Sequence, residues 1–592
     1  MRIEIMRFRN IFLLLIVFIN TKIYATDIIG GSLRYEALGK EKYKLIGIIN
    51  RDCAGEPLDM FYFRIFSKDL DLNLIATRVA IKDITNYCKG KSTPCSPQNT
   101  KNGDGQEQHV FETIIDFSKA PYSDFYKQNN CEVNFAMEAC CRTNKITTMS
   151  TAGNFYLDAM LNLCNLGKDA ENSTSTVMPD NYVEMCVNLP FNYNFGYYEK
   201  DIDSLLHSLE IPIRGIGFEE KYNGSLNANF PMTPLCYPPG SNCKPLTNAK
   251  PPRGIYFSDN TGDFVVTPTS FGERALMKIK TSEYRLIDGI IKNVGYSTME
   301  VFIRIITCSD NNPTTIPTLY KHSVCEGDKL CFTVQSRDVR TINAKVDDTT
   351  YMTWNKGIPS SNCTWQINDS TAREKSAQFC WQTQLGDSKP YEYQFTVKAT
   401  DSNCSQPLGT AQAIIINVKP RAKVSRQYIK MAGNKLYFNV PDTINGGYSF
   451  DWSIRDSANA SNRLYRSYKR NDTFTFSDTG KYYITLTING FSLNCPTTYL
   501  DTVYMDGAIT TAVHSVNRLN ARIYPNPANN SITIDLPTNH GVNTMKLWSS
   551  DGRLIYSGNY SNTLDISNYS KGVYMLELID EEQHQFLKVI KS

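Results

Sequence analysis

Histidine is scarce in this 592-residue chain, with six in all: His109, His207, His322, His514, His540 and His584. They stand singly, so they offer neither metal-ligand spacing nor a base beside a nucleophile. A GxSxG elbow, an HExxH helix, a P-loop and a GxGxxG turn between strand and helix are all missing. Those absences remove the common signatures of hydrolase, zinc-protease and nucleotide chemistry. Charge of one sign is missing too: the net value of +3 leaves no clustered basic face, so no nucleic-acid partner is expected. Beyond the first residues no apolar run approaches the ~20 residues of a membrane-spanning helix. Helical periodicity is rare. What the chain has instead is 35 tyrosines, 28 phenylalanines and 17 cysteines, a composition for pleated, half-buried surfaces.

The start carries Arg2, Arg7 and Arg9 ahead of an apolar run, Ile11 to Ile19, and then Tyr24-Ala25. Nine apolar residues are too few to span a bilayer, and a small residue suits cleavage. Residues 1–25 therefore read as a secretory signal peptide, cut between Ala25 and Thr26, with no transmembrane segment left in the product.

In an exported chain the cysteines point to disulfides rather than metal, since neither CxxC pairs nor histidines at ligand spacing accompany them. Two pairs flank short polar loops, Cys88 with Cys95 and Cys236 with Cys243, and each is expected to close its own loop. Adjacent Cys140 and Cys141 are expected to bond different distant partners. Cys495 stands alone in its region, and the odd total leaves at least one thiol unpaired or bonded to another chain.

Strand patterning dominates. Tyr482, Ile484, Leu486 and Ile488 alternate with polar neighbours, Ser531 to Leu536 does the same, and Val573 to Leu578 repeats it. Period two with β-branched and aromatic residues predicts strands with one buried face. Asp551-Gly552 between two such runs predicts a hairpin. Phe155 to Leu163 fits a strand or a helix. Polar, turn-rich gaps at 171–176, 309–313 and 419–420 suggest boundaries. The expected architecture is all-β, with several tandem β-sandwich modules of immunoglobulin or PKD type and a small C-terminal β-sandwich. Residues 26–175 form a cysteine-rich β module, 176–310 a second sandwich, 311–420 an immunoglobulin-like module and 421–505 a PKD-like module. A linker at 506–520 precedes a terminal domain at 521–592.

That terminal domain carries the most specific motifs. Tyr524-Pro525-Asn526-Pro527-Ala528 leads into the strand Ile532-Thr533-Ile534, Asp551-Gly552 turns a hairpin, Lys571-Gly572-Val573-Tyr574 opens a strand, and Phe586 to Lys591, including Lys588, ends it. This resembles the type A C-terminal sorting domain of Bacteroidetes type IX secretion cargo. The resemblance implies two partners, the secretion translocon and its surface protease, and a final place at the cell surface or outside the cell. Asn50-Arg51-Asp52-Cys53, Cys140-Cys141-Arg142, Thr261-Gly262-Asp263 and Glu283-Tyr284-Arg285 resemble the N-terminal region of gliding-motility-associated or adhesin-like surface proteins of the same phylum. Asp201-Ile202-Asp203-Ser204-Leu205 departs from the Asp-rich, Gly-containing stretch common there, which bears on any cadherin-like calcium site in the second module. Tyr448 to Trp452 with Gly480 to Tyr483 resembles a PKD module. Residues 320–420 resemble an immunoglobulin domain, whose core would hold Cys325, Trp381 and Cys404.

No nucleophile–base constellation emerges, so no catalytic residue is named. Asp69 to Asn73 and Asp259 to Asp263 offer oxygen ligands, which leaves calcium as the one cofactor to consider; the first reads better as a solvated strand face and the second as a turn. Phe191 to Tyr198 is the best aromatic candidate for a glycan or protein ligand, against a competing role in core packing. The favoured function is a non-catalytic, adhesin-like surface or released protein. A secreted hydrolase with the same sorting domain and a structural component of a surface appendage are the alternatives.

Overall fold

The computed structural model describes residues 27–592 apart from short gaps, the longest being 97–104 and 339–347. Its regular structure is almost entirely strand; one short 3-10 helix, Tyr122–Lys127, is the helical element among the described residues. Phe155–Asn162 is a strand. The chain divides between Lys419 and Pro420 into two compact units.

In the first unit, seven strands pair antiparallel in the spatial order Ile28–Gly39, Lys42–Asp52, Gln106–Asp116, Asp71–Asp83, Phe61–Phe66, Glu132–Ala139 and Phe155–Asn162. The two outer strands of this run meet the same long strand, Ile290–Ile306. Ala159 to Leu161 pairs with Gly295 to Ser297, and Gly31 to Leu33 pairs with Thr298 to Glu300. The sheet thus closes on itself, and closure removes the open edges that would otherwise invite association. Leu33, Tyr35, Phe63, Phe111, Phe135 and Leu157 are among the residues that fill its core.

This overturns the expected boundary between 26–175 and 176–310, because a strand from the second region completes the first. The polar segment at 171–176 is no linker: Asn172, Ser173, Thr174 and Ser175 are each at most 4% exposed. Thr174 exchanges hydrogen bonds with the Tyr35 backbone at 2.9–3.0 Å, Ser173 Oγ accepts from Ala37 N at 3.1 Å, and Asn172 Nδ2 donates to Tyr35 Oη at 3.0 Å. Its side chains are polar because they bind backbone and buried acceptors, which composition alone cannot distinguish from solvation.

Arg142 pins the same region. It is buried, with Nε and Nη2 on the two carboxylate oxygens of Glu300 at 2.9 and 2.6 Å, Nη1 3.3 Å from Glu220, and Nη2 donating to Ile213 O at 2.6 Å. A guanidinium without these acceptors would not leave water.

The cysteine pairing departs from expectation in two places. Cys95 bonds Cys53 rather than Cys88, joining a loop to the end of a core strand; Cys88 lies outside the described residues. Cys140 and Cys141 bond each other across a cis peptide, with Cα atoms 3.1 Å apart, instead of reaching distant partners. The end of the strand Lys42–Asp52 brings Cys53 to Cys95, a proximity that sequence spacing does not show. Cys236 and Cys243 are joined, as are Cys131 with Cys164 and Cys186 with Cys308. Cys495, alone in its sequence region, is disulfide-bonded as well.

Residues 313–419 form a sandwich of a four-stranded and a three-stranded sheet around Trp381, Phe379, Phe395, Val397 and Ile414. Trp381 is in the core as read, a bridge between Cys331 and Cys380 joins neighbouring strands, and Cys325 is disulfide-bonded as well. Cys404 lies outside the described residues.

In the second unit, two four-stranded sheets enclose Trp452, Phe438, Tyr482, Ile484, Leu486 and Ile488, the buried face that the alternation predicts. Part of the expected 506–520 linker is structured: Val513–Ser515 pairs antiparallel with Gln427 to Ile429. Three residues are too short for a periodic signal, and backbone pairing does not need one. The last domain sets a three-stranded sheet on a four-stranded one over Ile532, Leu547, Leu576, Leu578 and Val589. Asn526 fastens its two ends together: Nδ2 donates to Lys588 O at 2.6 Å and Oδ1 accepts from Ile590 N at 2.8 Å. Tyr574 Oη donates to Ser570 O at 2.8 Å, Gly572 pairs with Lys591, and Gly552 lies outside the described residues.

Arg142→Met should lower stability by about 3–5 kcal/mol by removing the buried guanidinium that pairs with Glu300 and Glu220. Urea denaturation of the full chain measures this, and Arg142→Met/Glu300→Leu should regain part of the loss. Asn526→Ala should loosen the terminal domain by about 1–2 kcal/mol, visible as faster amide exchange in Gly572–Ile579 and at Ile590.

Candidate functional site

The alternation of Phe191, Tyr193, Phe195 and Tyr197 sends all four rings into one core, where each is at most 6% exposed. The aromatic segment singled out as a ligand surface is therefore packed away. Gly196 sits at a φ of +73°, and a side chain there would meet Met178, so the chain turns tightly just before Tyr197.

Against this segment docks the sandwich of residues 313–419. Thr396 Oγ1 donates to Asn194 Oδ1 at 2.8 Å, Gln394 Nε2 to Thr261 O at 3.0 Å, Asn355 Nδ2 to Gly196 O at 3.0 Å and Thr410 Oγ1 to Asn192 O at 2.7 Å. Ala411 adds its methyl to the core of the neighbouring half. Four hydrogen bonds at buried or half-buried positions hold the two parts in one register.

Beside this seam lies a cavity of about 310 Å³, lined among others by Tyr197, Glu199, Asp203, Tyr391, Tyr393 and Gln394. That volume accommodates one large side chain or a small ligand. The Tyr391 and Tyr393 rings stand 6.4 Å apart at 58°. Tyr197 packs on His207 with ring centres 4.0 Å apart, and His207 Nδ1 lies 3.0 Å from Thr281 Oγ1. Burial lowers the His207 imidazole to about 3, so it is neutral.

The lining also carries carboxylates, Glu199, Asp203 and Glu392. Asp203 is held by Arg285, whose Nε and Nη2 reach its oxygens at 2.6 and 2.7 Å. Glu392, next along the cavity, pairs with Lys321 at 2.7 Å. Glu199 Oε1 accepts from Asp201 N at 2.7 Å, while Oε2 is buried and meets no donor among the described residues. Behind them Glu283, fully buried, accepts from Asn172 Nδ2 at 2.7 Å and Ser175 N at 2.6 Å. Burial pushes the Glu283 carboxyl up to about 8 against those two hydrogen bonds, with Asp203 and Asp201 adding to the rise. Burial, and then the charge of Glu283, carry Glu199 well above the usual carboxylate range. Tyr391 is pushed up to about 12 by burial and by the nearby charges of Asp203 and Glu199.

In each acidic stretch considered for calcium, one carboxylate is engaged by a neighbour. Asp71 takes a bidentate bond from Arg64 at 2.8 and 2.6 Å. Asp263 accepts from Asn194 at 2.9 Å and Thr261 at 2.7 Å, which stiffens a turn. Among the described residues no three His, Cys, Asp or Glu side chains converge as metal ligands. Ala25 and Thr26 lie outside the described residues. Sequence reasoning missed Glu199 and Tyr391, which come from two sandwiches far apart in the chain; only the neighbouring Asp201 to Leu205 stretch had drawn notice.

Residues 522–592 match the family model of the secretion system C-terminal sorting domain. That domain marks the chain as cargo of the type IX secretion system, directed to the cell surface or the extracellular space. No curated protein sequence matches the chain. Among solved structures, one described as "Biofilm associated protein - BSP domain" is 8% identical, with 96% of each chain covered and a TM-score of 0.18. Another, described as "Structural basis for Dscam isoform specificity", is 11% identical over 71% of this chain and 98% of its own, with a TM-score of 0.11. No helix among the described residues is long and apolar enough to cross a membrane.

The raised Glu283 carboxyl binds a proton on folding, since its unfolded value is 4.5 and its folded value about 8. Stability from this group is complete below the unfolded value and is lost as pH rises through the folded one. Between about pH 5 and about pH 8 the denaturation free energy should fall by up to ~1.4 kcal/mol per pH unit. Glu283→Gln should flatten that slope in chemical denaturation series.

Proposed function

We propose that this protein is a non-catalytic, adhesin-like recognition protein of the bacterial surface, carried out by the type IX route. The observation that carries the reading is the sorting domain at 522–592 behind a series of all-β modules, two of which dock through buried hydrogen bonds around a formed cavity. Rigid docking holds a recognition site in fixed geometry, which reduces the ordering entropy that binding must overcome. In this reading residues 1–25 direct export across the inner membrane before the terminal domain engages the translocon and its surface protease. The protein remains on the outer surface or is released, and gliding or attachment is the process it serves.

The terminal domain has a core of its own and no cysteine, so it folds without covalent help and serves as a separable address. Deleting residues 521–592 should leave the remaining chain folded in the periplasm, and fusing those residues to a foreign exported protein should send that protein to the surface. Cell fractionation with immunodetection reads both. Normal surface or medium levels of the truncated protein would rule the route out.

A further inference from the structure

In the second unit, the outer face of one four-stranded sheet carries a charge pattern of its own. Its strands lie in the order Arg463–Ser467, Tyr448–Asp456, Gly480–Gly490 and Thr497–Met505. Trp452, Ile454, Tyr482, Ile484 and Val503 are buried on the inner side. Alternation therefore turns Arg455, Lys481, Tyr483, Leu500 and Tyr504 outward. We propose that this outer face binds an acidic polysaccharide, an extended polymer of sugar rings that carry carboxylates.

Strand pairing gathers cations that the sequence keeps apart. Arg455 stands directly opposite Arg463 on one side and opposite Tyr483 on the other. Lys481 lies two residues from Tyr483 on the same face, opposite Tyr504. Asp451 is the one carboxylate at the outward positions of these strands, and Arg466 already holds it, with Nε and Nη2 on its two oxygens at 2.9 and 2.7 Å. Arg455, Arg463 and Lys481 are thus in excess of acid on this face, and the last two are exposed with no ion pair among the described residues. Like charges directly opposite each other in a ladder are destabilising. An anion laid across Arg455 and Arg463 would offset that repulsion.

The spacing and the neighbours of these cations fit a sugar polymer. Guanidinium groups meet carboxylates two bonds at a time, the geometry that Arg466 shows with Asp451. Rings lie beside the cations: Lys481 Nζ is 5.6 Å from the Tyr483 ring centre, and the Arg466 guanidinium is 4.8 Å from that of Tyr468. Tyr504 is 61% exposed and Tyr468 65%. An open tyrosine ring with a polar tip suits a sugar, whose C–H face is apolar and whose edge is hydroxylated. Thr485 and Thr502, opposite Leu500 and Tyr483, add hydroxyls to the same face. Strands ~4.8 Å apart, with same-face residues ~6.8 Å apart along each, spread the cations thinly over a flat surface. Duplex nucleic acid presents a charge every ~1.7 Å and calls for a far denser basic surface. The sorting domain directs the protein to the cell surface or beyond it, where extracellular polysaccharide is within reach.

Calorimetric titration of the full mature chain, residues 26–592, tests this. The probes are an oligogalacturonate, its methyl ester, and a random-sequence DNA duplex of equal charge. Oligogalacturonate should bind, and its affinity should fall severalfold between about 0.05 M and about 0.3 M salt as screening strengthens. The uncharged ester and the duplex should bind at least about tenfold more weakly. Arg463→Gln and Lys481→Gln should each weaken oligogalacturonate binding severalfold, and together by about tenfold or more. Tyr504→Ala should weaken it severalfold while Tyr504→Phe retains it. Lys423→Gln/Lys435→Gln removes two exposed charges elsewhere in the same sandwich and should keep the parent affinity. Unchanged melting temperatures establish that the variants are folded. No binding of oligogalacturonate, parent affinity in Arg463→Gln/Lys481→Gln, equal binding of the ester, or an equal loss in Lys423→Gln/Lys435→Gln would overturn the proposal. Tighter binding of the duplex than of oligogalacturonate would overturn the polysaccharide class. If the protein still supports cell attachment while the purified chain ignores oligogalacturonate, this face is wrongly assigned and the surface-recognition reading stands. If oligogalacturonate binds as expected and deletion of the protein leaves attachment unchanged, the face chemistry holds and the adhesin reading fails.

Discussion

Glu300 and Arg142 sit where the first unit closes. Glu300 lies on the strand Ile290–Ile306, paired on one side with Gly31 and on the other with Lys278, and its two oxygens take the Arg142 guanidinium. Arg142 belongs to the corner after Glu132–Ala139, whose amide also joins Gly153 O. One buried ion pair therefore ties the closing strand to a distant corner. A buried pair of this kind gives little net stability over an apolar replacement of the same shape, and its removal by halves is severe. Its value lies in register: a one-residue slip of the closing strand would turn Glu300 away from Arg142 and bury both charges alone.

A second polar seam extends from there toward the cleft. Asn172 donates to Tyr35 and Glu283, and Arg285 joins Asn172 to Asp203. Glu199 follows beyond Asp203. Low polarity inside the protein strengthens each bond of this series and raises the penalty of any unmatched member. At its end Glu199 takes the Asp201 amide on Oε1 and contributes to the lining of the cavity, while its Oε2 is buried and meets no donor among the described residues. The electrostatics of the cleft thus follow from the way the first unit is held together.

The second unit follows a different rule. Its two sandwiches, around Trp452 and around Leu576, rest on apolar alternation with few buried charges. Asn526 completes the terminal one by bonding the last strand to the residues that open the domain. An export address has to be recognised as a folded object, and a fastening between its two ends makes the fold depend on the whole segment.

The sequence alone determined the fold class and the export signal, because both are local. Alternation over a few residues decides which face of a strand is buried: Tyr482, Ile484, Leu486 and Ile488 are buried as read. The proline-bearing motif at 524–528 is contiguous and was legible before any coordinates. Tertiary structure decided what nonlocal pairing controls. Residues 171–176 carry the composition of a boundary, yet Asn172 to Ser175 are buried because strands on both sides supply their hydrogen bonds. Cys95 chose Cys53 over the nearer Cys88 for the same reason. Glu199 and Tyr391 share one cavity only because two separate sheets dock through Thr396, Asn194 and Gln394. No period or motif encodes that meeting, since the free energy holding it belongs to surfaces that exist only once each sheet has formed.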